Sequence, residues 1–419
     1  MDFAAVGSDA WTNGKEYGDE TAEAIDKFQK TINEEALRVH ASKLRGNRPC
    51  SISHEFSVGN FNLVRKVKFD DGVQWIARLR MPPVSHDEMS AQETADMGKK
   101  TLFDMQSELA TMEFLSQNTD IPIPKVHGYE LSTDNAVGCA FSFLEYIHGN
   151  TAEEMSQRYP GDHEGIPSQF ETKFWRQLAH IMIQLASVRL PKIGSIIHDE
   201  KTTGSFLVGP LVETGTGPYE SSAEFYSAYP LALNRHLGSA TRGQEKALEA
   251  FRCIAASFPR PRTDSHAGFG LVNYDLNPNN ILVDRDFNVL AVIDWDSVIS
   301  APDAALYRFP FLMGVASAVP GIIDTHPAIL ERQELGRQFA ATVAQVGQEQ
   351  GYSERPRAGK RKKPFLFTKS GFFSKEAVAV RSLTYIKMKQ DWVNDEWLAG
   401  LTWLCGRDEK AVARFYLEC

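Results

Sequence analysis

Hydrophobic positions along the chain follow helical spacing in some segments and strand spacing in others. An apolar face repeats over residues 21–44, which predicts an amphipathic helix that packs against the rest of the protein. From Ser51 the spacing changes to that of strands, and after Gly149 the chain is mainly helical, as at 174–188. Between these points the pattern predicts strands at 61–69, 73–79 and 140–146, with a helix at 102–115.

Turn and polar signals separate these elements. Asp71-Gly72 lies between the first two strand patterns, where it predicts a hairpin turn. Residues 85–100 are polar and predict a mobile loop before the helix. Residues 1–20 are also polar, and we expect them to be loosely held. The resulting order, strand-strand-helix-strand followed by helices, predicts two structurally different regions.

The most informative stretch is residues 273–296. It contains two apolar runs, 281–283 and 289–293, separated by five residues that together read as a turn. Two such runs predict an antiparallel hairpin, in which the start of the first strand lies beside the end of the second. Asn280 and Asp294 should therefore meet at one end of the hairpin, with Asp275 on the loop just before them.

These three side chains are suited to phosphoryl transfer. Mg²⁺ on a nucleotide takes oxygen ligands, usually only one or two of them from protein, and Asn280 and Asp294 can supply these. A separate carboxylate, here Asp275, must accept a hydrogen bond from the attacking hydroxyl group. An acidic surface hairpin is the alternative interpretation. The position of the second Asp directly behind a strand favours the kinase-like site.

The spacing resembles the His-x-Asp-x-x-x-x-Asn motif and following Asp of the aminoglycoside phosphotransferase (APH)-like kinases, members of the protein-kinase-like superfamily. The ending Ile293-Asp294-Trp295 is most similar to fungal members. The resemblance runs from about Ser51 to Asp303 and implies an α+β, two-lobed protein-kinase-like fold. It divides the chain into an N-terminal arm (1–50), a nucleotide-binding lobe (51–143) and a catalytic, acceptor-binding lobe (144–419).

Two residues depart from the family pattern. Asn273 stands where the family usually has His, and Tyr274 stands where it commonly has Gly. The His is a scaffold residue for the loop. We therefore expect Asn273 to replace its hydrogen bonds imperfectly, without removing the chemistry.

The resemblance also implies residues that bind the nucleotide phosphates. Gly59, Asn60 and Phe61 stand where the family has its phosphate-covering loop, although a single Gly also fits an ordinary turn. Arg78 stands where the family often has Lys, and it keeps the charge that grips phosphate. A solvated strand residue is the alternative for Arg78, because Arg80 faces the same way two positions on.

Glu108 provides an independent check, because it falls inside the apolar stripe of the predicted helix. A carboxylate on a buried face is costly unless it meets a cation, and the resemblance implies Arg78 as its partner. A Glu at the rim of the stripe that reaches water is the alternative. Residues 143–149 resemble the connection between the lobes, where the backbone reads the adenine edge, and this implies backbone contacts at Glu145 and Ile147.

Composition and charge exclude several classes of protein. A length of 419 residues suggests more than one lobe, and a net charge of −9 argues against general nucleic-acid binding. No apolar run approaches the roughly 18 residues of a membrane-spanning helix, and the N-terminus lacks the pattern of a signal peptide. Five scattered cysteines fit reduced thiols, so we expect a cytoplasmic protein without a disulfide frame or zinc site.

Several other features are given simpler interpretations. The basic run 355–363 is interpreted as a solvated loop in preference to a nuclear address or an anion contact. His266 is assigned a loop hydrogen bond in preference to proton transfer, and Asp296 is equally compatible with a structural role or with facing a cationic substrate. Core packing is favoured over an acceptor pocket for the tryptophans Trp392, Trp397 and Trp403.

The expected function is an ATP-dependent small-molecule phosphotransferase that moves the γ-phosphate of Mg-ATP to a hydroxyl group of a metabolite. ATP and Mg²⁺ are the implied cofactors, and no nucleic acid or membrane partner is expected. The first alternative keeps ATP but changes the reaction to condensation or nucleotidyl transfer. The second is a pseudokinase that acts as a binding or scaffold module, which the residues Asn273 and Arg78 and the glycine-poor loop favour.

Overall fold

The computed structural model describes residues 19–59, 61–82, 91–160, 165–237, 241–258, 268–310, 327–353, 365–388 and 406. Several features discussed above lie outside these ranges, namely Asn60, His266, 355–363, Trp392, Trp397 and Trp403. The described chain has a strand-rich N-terminal lobe and a helix-rich C-terminal lobe, which is the expected α+β, two-lobed architecture. None of the helices in these ranges has the length and apolar character needed to cross a bilayer.

An antiparallel sheet forms the N-terminal lobe. Its strands are β1 (Cys50–Val58), β2 (Asn62–Phe69), β3 (Gln74–Arg80), β4 (Val126–Glu130) and β5 (Phe141–Glu145), in the spatial order β1-β2-β3-β5-β4. The strands predicted at 61–69, 73–79 and 140–146 are confirmed as β2, β3 and β5. In β3, burial alternates from residue to residue, so that Trp75, Ala77 and Leu79 face the lobe's core and Arg78 faces the other side.

The N-terminal arm contains two helices, and the prediction of a single helix over residues 21–44 is wrong. The helices are α1 (Asp19–Thr31) and α2 (Glu34–Leu44). Between them, the Asn33 side chain accepts a hydrogen bond of 3.1 Å from the Ala36 backbone N–H, which caps α2 and favours a new helix start. The predicted packing role is confirmed, because both helices bury apolar side chains against the sheet: Ile25, Phe28, Leu37 and Ala41.

Helix α3 (Ala91–Asn118) follows β3 and begins earlier than predicted. The helix expected at 102–115 is confirmed, but the loop expected at 85–100 is wrong from residue 91 onward. Residues 91–100 are mostly good helix formers without an apolar stripe, so helical propensity is present where hydrophobic periodicity is absent. The apolar stripe of α3 joins the core of the C-terminal lobe, and the Ser107 hydroxyl donates to the Ile196 carbonyl at 2.9 Å.

The C-terminal lobe is mainly helical. Its helices are α4 (Ala152–Ser156), α5 (Ser168–Ser187), α6 (Ser222–Leu237), α7 (Arg242–Ala255), α8 (Asp303–Leu306), α9 (Pro327–Ser353), α10 (Lys369–Phe372) and α11 (Lys375–Met388). In a three-stranded sheet, β10 (Ile281–Val283) lies between β6 (Asn150–Thr151) and β11 (Val289–Val292). Two-stranded sheets pair β7 (Ser195–His198) with β8 (Phe206–Gly209) and β9 (Gly270–Asn273) with β12 (Val298–Ala301). Phe287, in the turn between β10 and β11, is fully buried and stacks on Phe170 of α5 at 4.8 Å, which fixes the hairpin to the helical core.

Candidate active site

The predicted hairpin is confirmed, and it brings Asn280 beside Asp294. Strands β10 and β11 pair antiparallel, with Ile281 opposite Val292. Just beyond this pair, the Ile293 backbone N–H donates to the Asn280 carbonyl at 2.9 Å. The paired strands therefore end with Asn280 and Asp294 at the same edge, where both residues line a cavity.

Asp294 has a left-handed backbone conformation, with φ 61°. This conformation costs a residue with a side chain about 1 kcal/mol or more, so the surrounding structure must hold it in place. Trp295 contributes to this, because it is fully buried and its indole N–H donates to the Val292 carbonyl at 2.9 Å. With Trp295 anchored in the core, Asp294 and Asp296 on either side of it both line the cavity.

The Asp275 carboxylate is held by the side-chain amides of two asparagines. Asn277 donates to one carboxylate oxygen at 2.8 Å, and Asn280 donates to the other at 2.7 Å. Each carboxylate oxygen has two lone pairs and can accept a further hydrogen bond. Sequence analysis did not identify Asn277. Its side-chain oxygen also accepts from the Asn279 backbone N–H at 2.8 Å, a local turn that asparagine favours.

Asn273 takes over part of the scaffold role that the resemblance assigns to His. Its side-chain oxygen accepts a hydrogen bond of 2.8 Å from the Asp275 backbone N–H. Its amide nitrogen is buried and has no hydrogen-bond partner in the part of the chain that the structure describes. Asn273 thus anchors the loop through one hydrogen bond and leaves one buried donor unsatisfied, which agrees with the expectation of an imperfect replacement.

The cavity lies between the lobes and has a volume of about 890 Å³. The predicted site residues that line it are Gly59, Phe61, Arg78, Glu108, Glu145, Ile147, Asp275, Asn280 and Asp294. They come from the sheet of the N-terminal lobe, from α3, from the connection between lobes and from the β10–β11 hairpin with the loop before it. A cavity of this size is large enough for a nucleotide and part of a second ligand.

The predicted ion pair between Arg78 and Glu108 is confirmed. Arg78 Nη1 lies 2.6 Å from Glu108 Oε1, and the two side chains are only 16% and 5% exposed. Burial lowers the pKa of Arg78, but the charge and hydrogen bond of Glu108 outweigh that effect and raise it overall. A solvated Arg78 and a water-facing Glu108, the alternatives considered from the sequence, are therefore wrong.

Gly59 and Phe61 lie in the turn between β1 and β2. The Gly59 N–H donates to the Asn62 carbonyl at 3.0 Å, so the segment is a hairpin turn and also a wall of the cavity. A Cβ built on Gly59 would meet no atom within 4 Å. Packing within the described protein therefore does not require glycine at this position.

Carboxylates outnumber cations at the end of the cavity beside the β10–β11 hairpin. Burial, followed by repulsion from Asp296 and Glu108, raises the pKa of Asp294 to about 7. Burial and Glu108 likewise raise the pKa of Asp296. A bound cation would relieve this repulsion and keep the carboxylates ionised.

The available donors at this position fit Mg²⁺. The Asp294 carboxylate and the Asn280 amide oxygen are hard oxygen donors, which Mg²⁺ prefers. Within the described ranges, no group of three or more acidic, His or Cys side chains forms a metal site by itself. Mg²⁺ on a nucleotide does not need such a group, because phosphates and water supply most of its ligands.

Another part of the cavity wall consists of aromatic and acidic side chains that the sequence did not assign to the site. The Tyr229 hydroxyl donates to Glu213 Oε2 at 2.6 Å, and the Arg308 guanidinium lies 4.2 Å from the centre of the Tyr274 ring. Burial raises the pKa of both tyrosines, so both are neutral phenols at neutral pH. Glu213, Tyr229 and Tyr274 lie in separate segments of the chain, and no local spacing connects them.

The two-lobed fold, with this cavity between the lobes, belongs to the protein-kinase-like class of proteins. The model of the phosphotransferase enzyme family (APH) matches residues 55–302, which is more than half of the chain. The chain therefore belongs to this family.

Individual relatives are more distant. A subtelomeric hrmA-associated cluster protein of Aspergillus fumigatus is 24% identical over 184 residues, which span 42% of this chain and only 30% of that protein. A macrolide 2′-phosphotransferase type I structure is 13% identical, covers 90% of this chain and all of its own, and has a TM-score of 0.42. A macrolide 2′-phosphotransferase from Brachybacterium faecium is 14% identical, with coverages of 88% and 98% and a TM-score of 0.43.

Proposed function

We propose that the protein is an ATP-dependent small-molecule phosphotransferase that transfers the γ-phosphate of Mg-ATP to a hydroxyl group of a metabolite. The supporting observation is that Asp275, Asn280 and Asp294 line the same cavity as the Arg78–Glu108 pair. Phosphoryl transfer depends mainly on positioning and charge neutralisation, with little covalent chemistry for the protein to perform. This set of side chains is suited to both tasks.

In this proposal the adenine lies against the connection between the lobes. The Glu145 backbone N–H already donates to the Lys125 carbonyl at 2.8 Å, so the Glu145 carbonyl is the group that accepts from the adenine. The Ile147 backbone N–H donates to the same edge. Arg78 binds the α- and β-phosphates, and Glu108 holds Arg78 in position through their short ion pair.

The turn at residues 59–61 covers the phosphates in the same arrangement. Phosphate oxygens can approach this turn closely, because Gly59 has no side chain and open space lies around its Cα. Phe61 is 51% exposed, so its ring is free of the lobe's core.

Asp275 accepts a hydrogen bond from the acceptor hydroxyl and takes its proton. The hydroxyl oxygen attacks the γ-phosphorus, and the bond from that phosphorus to the β-γ bridging oxygen breaks to leave ADP. Asn277 and Asn280 fix the direction of the Asp275 lone pairs through their 2.8 Å and 2.7 Å hydrogen bonds. Asn280 Oδ1 and Asp294 would hold Mg²⁺, which neutralises the charge of the phosphates when bound.

The acceptor would enter beside Tyr229, Tyr274 and Glu213, which line the same cavity. Flat aromatic walls and a carboxylate suit a polar metabolite that has at least one hydroxyl group and some apolar surface. No nucleic acid or membrane partner is part of this proposal.

The test is a screen for ATP consumption across hydroxylated metabolites, followed by the mass of the product. The proposal predicts a gain of one phosphate group, with loss of the product in Asp275→Ala. A gain of AMP or a new bond between two acceptors would contradict it in favour of another ATP-using reaction. The unsatisfied amide of Asn273 favours a second candidate, a nucleotide-binding pseudokinase. That candidate predicts Mg-ATP binding without any phosphorylated product.

A further inference from the structure

Arg80 is the last residue of β3, and it lines the cavity on the same side of the strand as Arg78. In the part of the chain that the structure describes, its Nε has no hydrogen-bond partner and the side chain forms no ion pair. Burial also lowers the pKa of the Arg80 guanidinium. Arg80 is partly buried and its Nε is shielded from water, which is unfavourable for a cation without an anionic partner and indicates that its partner is a ligand.

The two carboxylates that attract Arg80 most strongly each form an ion pair with another cation. Asp104 and Glu108 act on Arg80 most strongly among its neighbours. Asp104 lies 3.1 Å from Lys100, and Glu108 lies 2.6 Å from Arg78. Arg80 is therefore attracted by Asp104, Glu108 and, more weakly, Asp296, but it forms an ion pair with none of these three side chains.

The position of Arg80 along β3 indicates which ligand group it would meet. The strand begins near the connection between the lobes, where Trp75 pairs with Glu145, and it runs past Arg78 to Arg80. Two residues of a strand advance about 6.6 Å, so Arg80 lies about that much farther from the connection than Arg78. If the adenine lies at the connection, the phosphate chain extends along β3 toward Arg80.

We propose that Arg80 is a second phosphate-binding residue, which contacts the terminal phosphate of the bound nucleoside triphosphate. The assignment rests on the proposed function only for the placement of the adenine. Arg78 binds the inner phosphates, which ATP and ADP share, and Arg80 binds the phosphate that only ATP has. Arg80 thereby lets the site prefer the substrate nucleotide over the product nucleotide.

Phe61 supports this role. The Arg80 guanidinium lies 4.9 Å from the centre of the Phe61 ring, and that ring is 51% exposed at the turn that covers the cavity. An aromatic ring over the face of a guanidinium is attractive and leaves the N–H groups at its edge available. Those edge N–H groups form the paired hydrogen bonds by which arginine binds phosphate.

The test compares affinities for a non-hydrolysable ATP analogue and for ADP, each with Mg²⁺, by calorimetric titration. Arg80→Gln should weaken binding of the analogue by about 10- to 100-fold, which is the loss expected for a hydrogen bond to a charged group. Its affinity for ADP should stay within about threefold of the wild-type value. Arg80→Lys should recover part of the loss. The control is Arg48→Gln, because Arg48 is 45% exposed, pairs with Asp70 at 3.1 Å and does not line the cavity.

The melting temperature of the ligand-free protein gives a second readout. Arg80→Gln should not lower it, because the substitution removes a desolvated charge and breaks no ion pair among the described residues. An equal loss of affinity for the ATP analogue and for ADP, or no loss of affinity for either, would overturn the assignment. Wild-type protein that binds neither nucleotide would overturn it together with the proposed function. If Arg80→Gln selectively loses affinity for the ATP analogue but the wild-type protein transfers no phosphate, the role of Arg80 is supported. That result would refute only the proposed phosphotransferase activity.

Discussion

The side-chain amide of Asn280 donates a hydrogen bond of 2.7 Å to the carboxylate of Asp275. This contact joins the proposed metal ligand directly to the proposed base. Asn277 donates to the same carboxylate at 2.8 Å but supplies no ligand to the metal. The two asparagines therefore differ in one property, because only Asn280 is also a proposed ligand of the metal.

We predict that Asn280→Ala and Asn277→Ala both reduce turnover by about 10- to 100-fold, because each removes a hydrogen bond to a charged group. Only Asn280→Ala should raise the Mg²⁺ concentration needed for half-maximal activity. The measurement is a Mg²⁺ titration of phosphate transfer for both variants. An unchanged Mg²⁺ dependence in Asn280→Ala would remove that residue from the metal site.

Loss of the charge on Glu108 should destabilise the protein and weaken nucleotide binding. Glu108→Gln leaves the buried Arg78 without its counter-charge, at a cost of about 3 kcal/mol in the free energy of unfolding. The KM for ATP should rise, because Arg78 is no longer held. The control is Glu113→Gln on the same helix, which pairs with His198 at 3.0 Å, is 32% exposed and lies outside the cavity. Comparable losses of stability in both variants would argue against the special role of the Arg78–Glu108 pair.

Mg²⁺ and ATP should bind with release of protons at mildly acidic pH. The pKa of Asp294 is raised to about 7, mainly by burial and by Asp296, so this carboxyl is largely protonated in the free protein below that pH. Metal binding requires the ionised form, so affinity should increase as pH rises through the pKa. Calorimetry in buffers of different ionisation enthalpy should detect about one released proton near pH 6 and almost none above pH 8.

Replacement of Asp296 tests the cause of that shift. Asp296→Asn removes the neighbouring charge that contributes to the raised pKa of Asp294. The pH range of proton release should then move downward.

Asp294→Asn tests whether Asp294 is the group that releases the proton. Proton release that persists unchanged in this variant would show that another group is responsible.

Gly59→Ala separates the two interpretations of the turn at residues 59–61. A Cβ at this position would meet no atom within 4 Å, so the free energy of unfolding should change by less than about 0.5 kcal/mol. If the turn covers the phosphates, the added methyl group obstructs their approach and the KM for ATP rises. An unchanged KM with unchanged stability would indicate an ordinary turn.

Local patterns were sufficient to predict the β10–β11 hairpin and the need of Glu108 for a cation, and the family resemblance supplied Arg78 as that cation. Strand spacing fixes which face of β3 carries Arg78, and a carboxylate within an apolar stripe marks Glu108 as a residue that needs a cation. The register of a short hairpin follows from its turn, so the meeting of Asn280 and Asp294 could also be predicted.

Other parts of the structure depend on information that local patterns lack. Every residue of β4 (Val126–Glu130) is partly buried, so the strand shows no alternation. The left-handed φ of Asp294 occurs directly before Trp295, whose indole is anchored in the core by long-range packing. Glu213 and Tyr229 reach the cavity from segments distant from the β10–β11 hairpin, and only tertiary packing brings them together.

The most direct test of the central claim measures ATP affinity with and without Mg²⁺. It compares the gain in affinity from Mg²⁺ in wild type, Asp275→Ala and Asp294→Ala. We predict that Asp275→Ala binds Mg-ATP about as tightly as wild type, although its turnover falls by about 10²–10⁴-fold. Asp294→Ala should bind ATP with no gain in affinity from Mg²⁺. Full Mg²⁺ enhancement of ATP binding in Asp294→Ala would contradict the account, because the hairpin would then not hold the metal.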